Sequence, residues 1–151
     1  MAHIHEKIDF TASVYVVFNN KVALHLHKKL GIWLPPGGHI ELDEDPNIAA
    51  LREVKEEIGL DIELVGNEPL STGDDPTEQE LIPPTFLNRH HFNTTHEHID
   101  LVYFGRATTS AVVPEEPEAE VRWFSKEEIE QNEALKPRIR AYALAALDAL
   151  V

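Results

Sequence analysis

Arg52-Glu53-Val54-Lys55-Glu56-Glu57 places three glutamates and an arginine within six residues. At ~100° per residue, a helix would project Glu53, Glu56 and Glu57 from one side and Ile48, Leu51, Val54 and Ile58 from roughly the opposite one. Three carboxylates this close repel one another, so ionising all of them is costly until a cation intervenes. Hard divalent ions, Mg²⁺ or Mn²⁺, prefer such oxygen ligands. Arg52, one turn before Glu56 and beside Glu53, is placed to orient the cluster and partly neutralise it. Gly37-Gly38 lies upstream, with Glu41 and Glu44 in the intervening loop. Glycine lets backbone approach a ligand closely and present a carbonyl to a metal. An arbitrary helix of this composition is usually a solvated acidic face paired to Arg and Lys. Here the glycines and loop carboxylates favour metal chemistry.

The elements that must position this cluster can be read from turn and capping chemistry. Thr11 to Phe18 and Val22 to Leu26 are rich in β-branched and aromatic residues, and Asn19-Asn20-Lys21 between them makes a hairpin. Leu34-Pro35-Pro36-Gly37-Gly38 predicts a tight loop. Asp45 can cap a helix with Pro46 at its first position, running to about Ile58 and stopped by Gly59. Ile62 to Val65 reads as a short strand. The proline-rich, acidic stretch from Pro69 to Pro84 reads as a long loop and a candidate for substrate selection. Thr85 to Phe92 and His98 to Ala107 form a strand pair. Pro114 to Pro117 is a rigid turn before a strand over Val121 to Phe124. Ser125 caps a helix from Lys126 to Gln131, with Glu128 completing a capping-box pattern. Pro137 to Leu150 is a closing helix with Ile139, Tyr142, Ala143, Ala146 and Leu150 along its apolar stripe. There is no internal repeat and no linker. The chain therefore reads as a single α/β domain over residues 1–151, a mixed β-sheet sandwiched by helices.

Composition narrows the function. The 151 residues suffice for one core, and 42% apolar with 26% charged residues is a globular balance. The formal charge of −14 disfavours nucleic acid and anionic membrane as partners. An anionic small molecule would bind only where cations reverse the field, and bound metal does that. Most of the 27 acidic residues are read as solvated surface. No apolar run approaches the ~20 residues of a membrane span. Met1 to Glu6 lacks the basic start and apolar stretch of a signal peptide. With no cysteine, disulfides and thiolate chemistry are excluded. A cytoplasmic location is expected.

Gly38 to Leu60 resembles the Nudix box, G-x5-E-x7-R-E-U-x-E-E-x-G-U with U apolar. Gly38, Glu44, Arg52, Glu53, Val54, Glu56, Glu57, Gly59 and Leu60 fall in register at every specified position. Trp33-Leu34-Pro35-Pro36-Gly37-Gly38 is similar to the family's approach to the box, and Val121-Arg122-Trp123-Phe124 to the strand before its last helices. The resemblance implies a Nudix-type α/β/α sandwich and a hydrolase that cuts a diphosphate linkage in a nucleoside diphosphate joined to another group. It implies Mg²⁺ or Mn²⁺ held by Glu53, Glu56, Glu57 and the carbonyl of Gly37 or Gly38, activating a water for attack on phosphorus. Arg52 would orient the carboxylates, and Glu44 would tie the loop to the helix. A general base or extra ligand often comes from outside the box. Glu97 is the first choice here, with Glu118, Glu120 and Asp100 as alternatives and Asp100 also readable as structural. Members are often dimers; a homodimer fits, and no feature of the chain decides it.

Two other functional classes share the resemblance. A non-catalytic Nudix-fold sensor of nucleotides or sugar nucleotides would usually have lost box residues, and this box has lost none. An isomerase acting on isoprenoid diphosphates generally uses a cysteine. Decapping of nucleic acid is disfavoured by the acidic charge. The nine histidines, including His25/His27, His90-His91 and His96/His98, have no spacing of a known zinc site. They are read as ordinary strand and loop residues, with His96 and His98 placed beside Glu97 at the pocket. Trp33 and Trp123 are read as core or rim residues. Pro76 lies sixteen residues beyond Leu60, near where some ADP-ribose-cleaving members have a proline. The residues that bind substrate, and the substrate itself, are not legible.

Overall fold

Asn19 and Asn20 fix the first hairpin of the computed structural model, which describes residues 5–151. Met1 to Ile4, the start of the amino-terminal stretch read above, lie outside the described residues. Both asparagines adopt positive φ, 48° and 59°, the left-handed pair of a two-residue type I′ turn. They join β1 (Ile8–Phe18) to β2 (Lys21–His27), with Phe18 opposite Lys21. Lys21 therefore belongs to the strand rather than to the turn.

The tight loop expected over 34–38 is mostly strand. Leu34 ends β3 (Ile32–Leu34), and Gly37 opens β4 (Gly37–His39), which pairs antiparallel with β1. Glycine permits the pairing: a Cβ on Gly37 would strike the Ala12 carbonyl and sit 2.8 Å from the Ser13 Cα. The remaining strands are β5 (Ile62–Val65), β6 (Phe86–His91), β7 (Glu97–Ala107) and β8 (Val121–Ser125). Together they form an eight-stranded sheet of order β3-β2-β1-β7-β5, with β4 on β1, β6 on β7 and β8 on β2. β1 and β7 run parallel from Ile8 opposite Glu97 to Val17 opposite Arg106, and the other pairs are antiparallel. The sheet is mixed.

Side chains alternate across β1 and divide the core in two. Ala12, Val14 and Val16 pack on α1 (Pro46–Ile58) through Ala49, Ala50, Val54 and Ile58. Tyr15 and Val17 on the other face pack with Phe124 and Ile129, and with Ile139, Ala143, Ala146 and Leu147 of α3 (Pro137–Ala149). The result is the α/β/α sandwich. Fully burying a side chain the size of Ile58 or Val54 is worth about 1.5–3 kcal/mol. Short α2 (Lys126–Gln131) begins as expected, the Ser125 hydroxyl accepting from the Glu128 N–H at 3.2 Å. The Glu128 carboxylate, however, meets Arg122 at 3.3 Å instead of being held by the cap. Among the described residues, no helix is long and apolar enough to cross a membrane.

The local rules for α1 hold. The Asp45 carboxylate accepts from the Ile48 N–H at 2.9 Å, Pro46 leads the helix, and Gly59 ends it at φ 72°. Its buried stripe differs from the expected one. Ile48 and Leu51 are exposed, while Ala49 and Ala50 are buried beside Val54 and Ile58. The alanines let the helix lie close to the sheet. This rotation brings the Glu53 and Glu57 side of the helix against the sheet edge instead of turning it away.

Candidate active site

Glu53 and Glu57 are partly enclosed by that rotation, their side chains 12% and 22% exposed, while Glu56 is 51% exposed. The Gly37 N–H donates to Glu57 Oε2 at 3.1 Å, and His25 Nε2 lies 3.3 Å from the same oxygen. Gly38 is so close to Glu53 that a Cβ would collide with the carboxylate. Burial pushes the Glu53 carboxyl above its ordinary range, with Glu57 and Glu56 adding repulsion and Arg52 opposing the rise.

Arg52 gathers the cluster. Its Nε and NH2 donate to the two oxygens of Glu44 at 2.9 and 2.6 Å, a bidentate fork. Its NH1 donates to Glu53 at 2.9 Å and to Glu56 at 3.1 Å, and NH2 also reaches the His39 carbonyl at 3.1 Å. Glu44 accepts in turn from the Glu41 N–H at 2.9 Å, which ties the loop to the helix. The Arg52 hydrogen bond holds the Glu44 carboxyl below its ordinary range.

On the opposite face of the sheet, a cavity of about 360 Å³ is walled by Gly37 and Gly38 and by Ser13, Asp100, His98 and Arg138. Lys136 and Tyr142 line it too, so α3 brings cations to one side of a strongly acidic protein. Asp100 is buried and accepts from the Thr11 and Ser13 hydroxyls at 3.0 and 2.9 Å. Burial raises its carboxyl above the usual range, partly offset by those bonds. A second cleft of about 470 Å³ lies against Glu57, lined by His25, His27, Lys28, Lys29, Glu115 and Glu116. His27 contributes to both cavities. The carboxylate cluster is thus flanked by two openings, each carrying cations.

A family model, NUDIX domain, matches residues 8–146. The chain belongs to the NUDIX family. It is 38% identical to a NUDIX-family hydrolase from Clostridium perfringens, with a TM-score of 0.85 over 95% of this chain and 98% of that one. The MutT protein of Methanosarcina mazei Go1, 19% identical with a TM-score of 0.71 over 97% of each chain, shares the fold. Among curated proteins, the m7GpppN-mRNA hydrolase NUDT17 of Danio rerio is 58% identical over 31 residues, 20% of this chain and 10% of that protein. An RNA pyrophosphohydrolase of Gluconacetobacter diazotrophicus is also 58% identical over 31 residues, 19% of its length. The matches thus span no more than about a fifth of these curated relatives.

The structure of this Nudix hydrolase brings Arg52, Glu53, Glu56, Glu57 and Gly38 together, with Glu44 behind them. It does not bring Glu97 to them. Glu97 opens β7, lies 3.6 Å from both Arg89 and His91, and lines a separate recess with Lys7, Thr94 and Thr95. Glu118 is highly exposed and meets Lys28 at 3.4 Å. Glu120 contributes its carbonyl to the Leu26 N–H at 2.9 Å. Of the expected histidine pair, His98 lines the cavity on the α3 side, while His96 bonds Thr95 at 3.0 Å in the β6–β7 turn. Trp33 packs edge-on against Phe124, and the Trp123 indole donates to the Ser110 carbonyl at 3.1 Å. Pro76 is exposed within the long loop.

Sequence reasoning missed Lys136, Arg138 and the Lys28-Lys29 pair. A usable signal was present, since adjacent cations stand out in a chain with only 13 Lys and Arg against 27 acids. The donor set suits a hard divalent cation: Glu57 meets β4 at Gly37, Glu53 fills the space that a side chain on Gly38 would take, and Glu56 shares Arg52 with Glu53.

Proposed function

We propose that this Nudix hydrolase performs Mg²⁺- or Mn²⁺-dependent hydrolysis of the diphosphate linkage in a nucleoside diphosphate joined to another group. One observation carries the reading. Gly37 and Gly38 touch the box carboxylates and also wall the cavity that holds Lys136 and Arg138. A substrate seated in that cavity would have to place its anionic linkage at β4, between the cavity cations and the box carboxylates.

Glu53, Glu56 and Glu57, with the Gly38 carbonyl, are assigned as the metal-holding groups. When bound, the metal would supply charge neutralisation at the diphosphate and activation of the attacking water. Arg52 positions Glu53 and Glu56 through its hydrogen bonds and does so from a site already braced by Glu44. Glu56, the most open of the three carboxylates, is the box residue best placed to take a proton from incoming water. Glu97 is kept as the alternative base from outside the box, with Glu118, Glu120 and Asp100 behind it. Reaching the box would require Glu97 to leave Arg89 and His91.

The short matches to cap- and RNA-directed hydrolases support cleavage between phosphates. They cover too little of the chain to carry an RNA substrate, and the charge of −14 favours a small molecule. The test is a panel of nucleoside diphosphate sugars, dinucleoside polyphosphates, ADP-ribose and oxidised nucleotides, with and without Mg²⁺ or Mn²⁺. Metal-dependent release of a nucleoside monophosphate, phosphate or pyrophosphate is expected from some member. Tight nucleotide binding with no turnover of any member would replace this reading by the sensor. Glu97→Gln with unchanged kcat would remove the outside base.

A further inference from the structure

Asp9, His39 and His98 come from three strands far apart in sequence, and the sheet gathers them. Asp9 pairs with His98 across the parallel β1–β7 register, and His39 pairs with Thr11, two residues along β1 from Asp9. One ligating atom from each lies within 4.8 Å of the others. His39 Nε2 is 3.6 Å from Asp9 Oδ2, and the His39 and His98 rings meet edge-on at 5.2 Å. His39 and His98 line the cavity on the α3 side.

We infer that Asp9, His39 and His98 form a second divalent-cation site, selective for Zn²⁺ over the hard ions suited to the box. Two imidazoles and one carboxylate make a nitrogen-rich donor set of the kind zinc takes, whereas the box offers only oxygen. Donors around a tetrahedral zinc at ~2.0–2.2 Å from the metal lie roughly 3.3–3.5 Å apart. The Asp9–His39 separation is already close to that. Exposed His39 can turn at its side-chain torsions to close the remainder. The backbone positions are held by strand pairing, so forming the site needs no rearrangement of the sheet. Three protein ligands leave a fourth position for water or for an oxygen of whatever occupies the cavity.

The alternative is a patch of ordinary histidines with one ion pair to Asp9, and direct metal binding separates the two. Zn²⁺ is titrated into the chelator-stripped full chain against a chromophoric competitor, and Co²⁺ is followed by its visible spectrum. The same titrations are run on Asp9→Asn, His39→Ala, His98→Ala and Glu57→Gln. Expected are one Zn²⁺ per chain, a Co²⁺ spectrum of tetrahedral type, and at least ~10-fold weaker Zn²⁺ binding in each of the first three variants. Glu57→Gln should keep the site. Zn²⁺ should also raise the unfolding temperature of the parent chain and not that of His39→Ala, a comparison that uses an exposed position where folding is not at stake. Undiminished affinity in both histidine variants, loss of Zn²⁺ in Glu57→Gln alone, or no one-per-chain binding in the parent would overturn the assignment. None of these readouts depends on hydrolase activity, so the outcome is independent of the substrate question.

Discussion

The two faces of β4 are built on opposite plans. On the α1 side, the candidate groups are carboxylates from one short helical segment, Glu53 and Glu56 joined by Arg52 and Glu57 held by the Gly37 N–H. On the α3 side, the cavity takes hydroxyls from β1, a buried acid from β7, imidazoles from β4, β6 and β7, and cations from the start of α3. The first arrangement is local in sequence and anionic. The second is dispersed and locally cationic. Under the proposed function this is a division of labour: the helix would supply the reaction and the sheet face would select what is cut.

The carboxylate side is where a single atom change should matter most. Replacing Glu57 or Glu56 by glutamine removes a charge while keeping the shape, and kcat should fall at least ~10²-fold, the scale of a positioned catalytic group. Glu57→Gln also weakens the hold on the Gly37 N–H. Steady-state kinetics at saturating Mg²⁺ on a panel-identified substrate would read both. Near-normal kcat in the pair would refute the local half of the comparison.

The cavity side should respond in the other parameter. Arg138→Ala removes a cation that faces the cavity, and loss of a charge-assisted contact to an anionic substrate is worth about 1.4 kcal/mol or more, or about tenfold in KM. Its kcat should stay near that of the parent. A fall in kcat with unchanged KM would mean that the cavity participates in the chemistry, and the division would collapse.

How much of this was legible depended on the distance over which information is written. Asp45-Pro46 and Gly59 delimit α1 because capping is settled by residues within one turn. The carboxylates followed from spacing along the same helix. Their orientation did not, since a helix with Ile48 and Leu51 on one side can bury Ala49 and Ala50 instead when close approach to the sheet wins. β4 was hidden because its residues are two glycines and a histidine, with no strand propensity of their own. It forms through contact with β1. Asp9, His39 and His98 illustrate the limit: 89 residues separate the outer two, and only sheet register brings them together. The surroundings of Glu97 met the same limit, because its nearest partners, Arg89 and His91, lie across a turn and are not readable from one strand.

A stability change of intermediate size should come from the link between α1 and the long loop. The Asn47 side chain donates to the Ile82 carbonyl at 2.8 Å and accepts from the Ile82 N–H at 2.9 Å. Loop residues 71–80 are exposed, so this pair of bonds fastens the carboxyl end of the segment. Asn47→Ala should cost about 1–2 kcal/mol in denaturant unfolding while leaving KM within about twofold. A large change in KM would support the part in substrate selection expected of the loop.

The smallest effect is a proton equilibrium inside the cavity. Burial pushes the His90 imidazole down to about 4, helped by Arg138, His98 and Lys136 facing it, and its Nδ1 is 2.8 Å from the Asn88 side-chain oxygen. Because the folded value lies below the ordinary 6.5, the unfolded chain binds the proton more tightly. His90 therefore contributes stability above pH 6.5 that declines as the pH falls toward 4. Ring-proton NMR should find His90 neutral through the physiological range, with its titration complete only well below that of an ordinary histidine. Arg138→Ala should move the midpoint upward without restoring it fully, since burial is the larger cause. A normal midpoint in the parent chain would mean that water fills the cavity freely around His90. The sheet face would then lack the low-dielectric surroundings in which its cations could discriminate one anionic substrate from another.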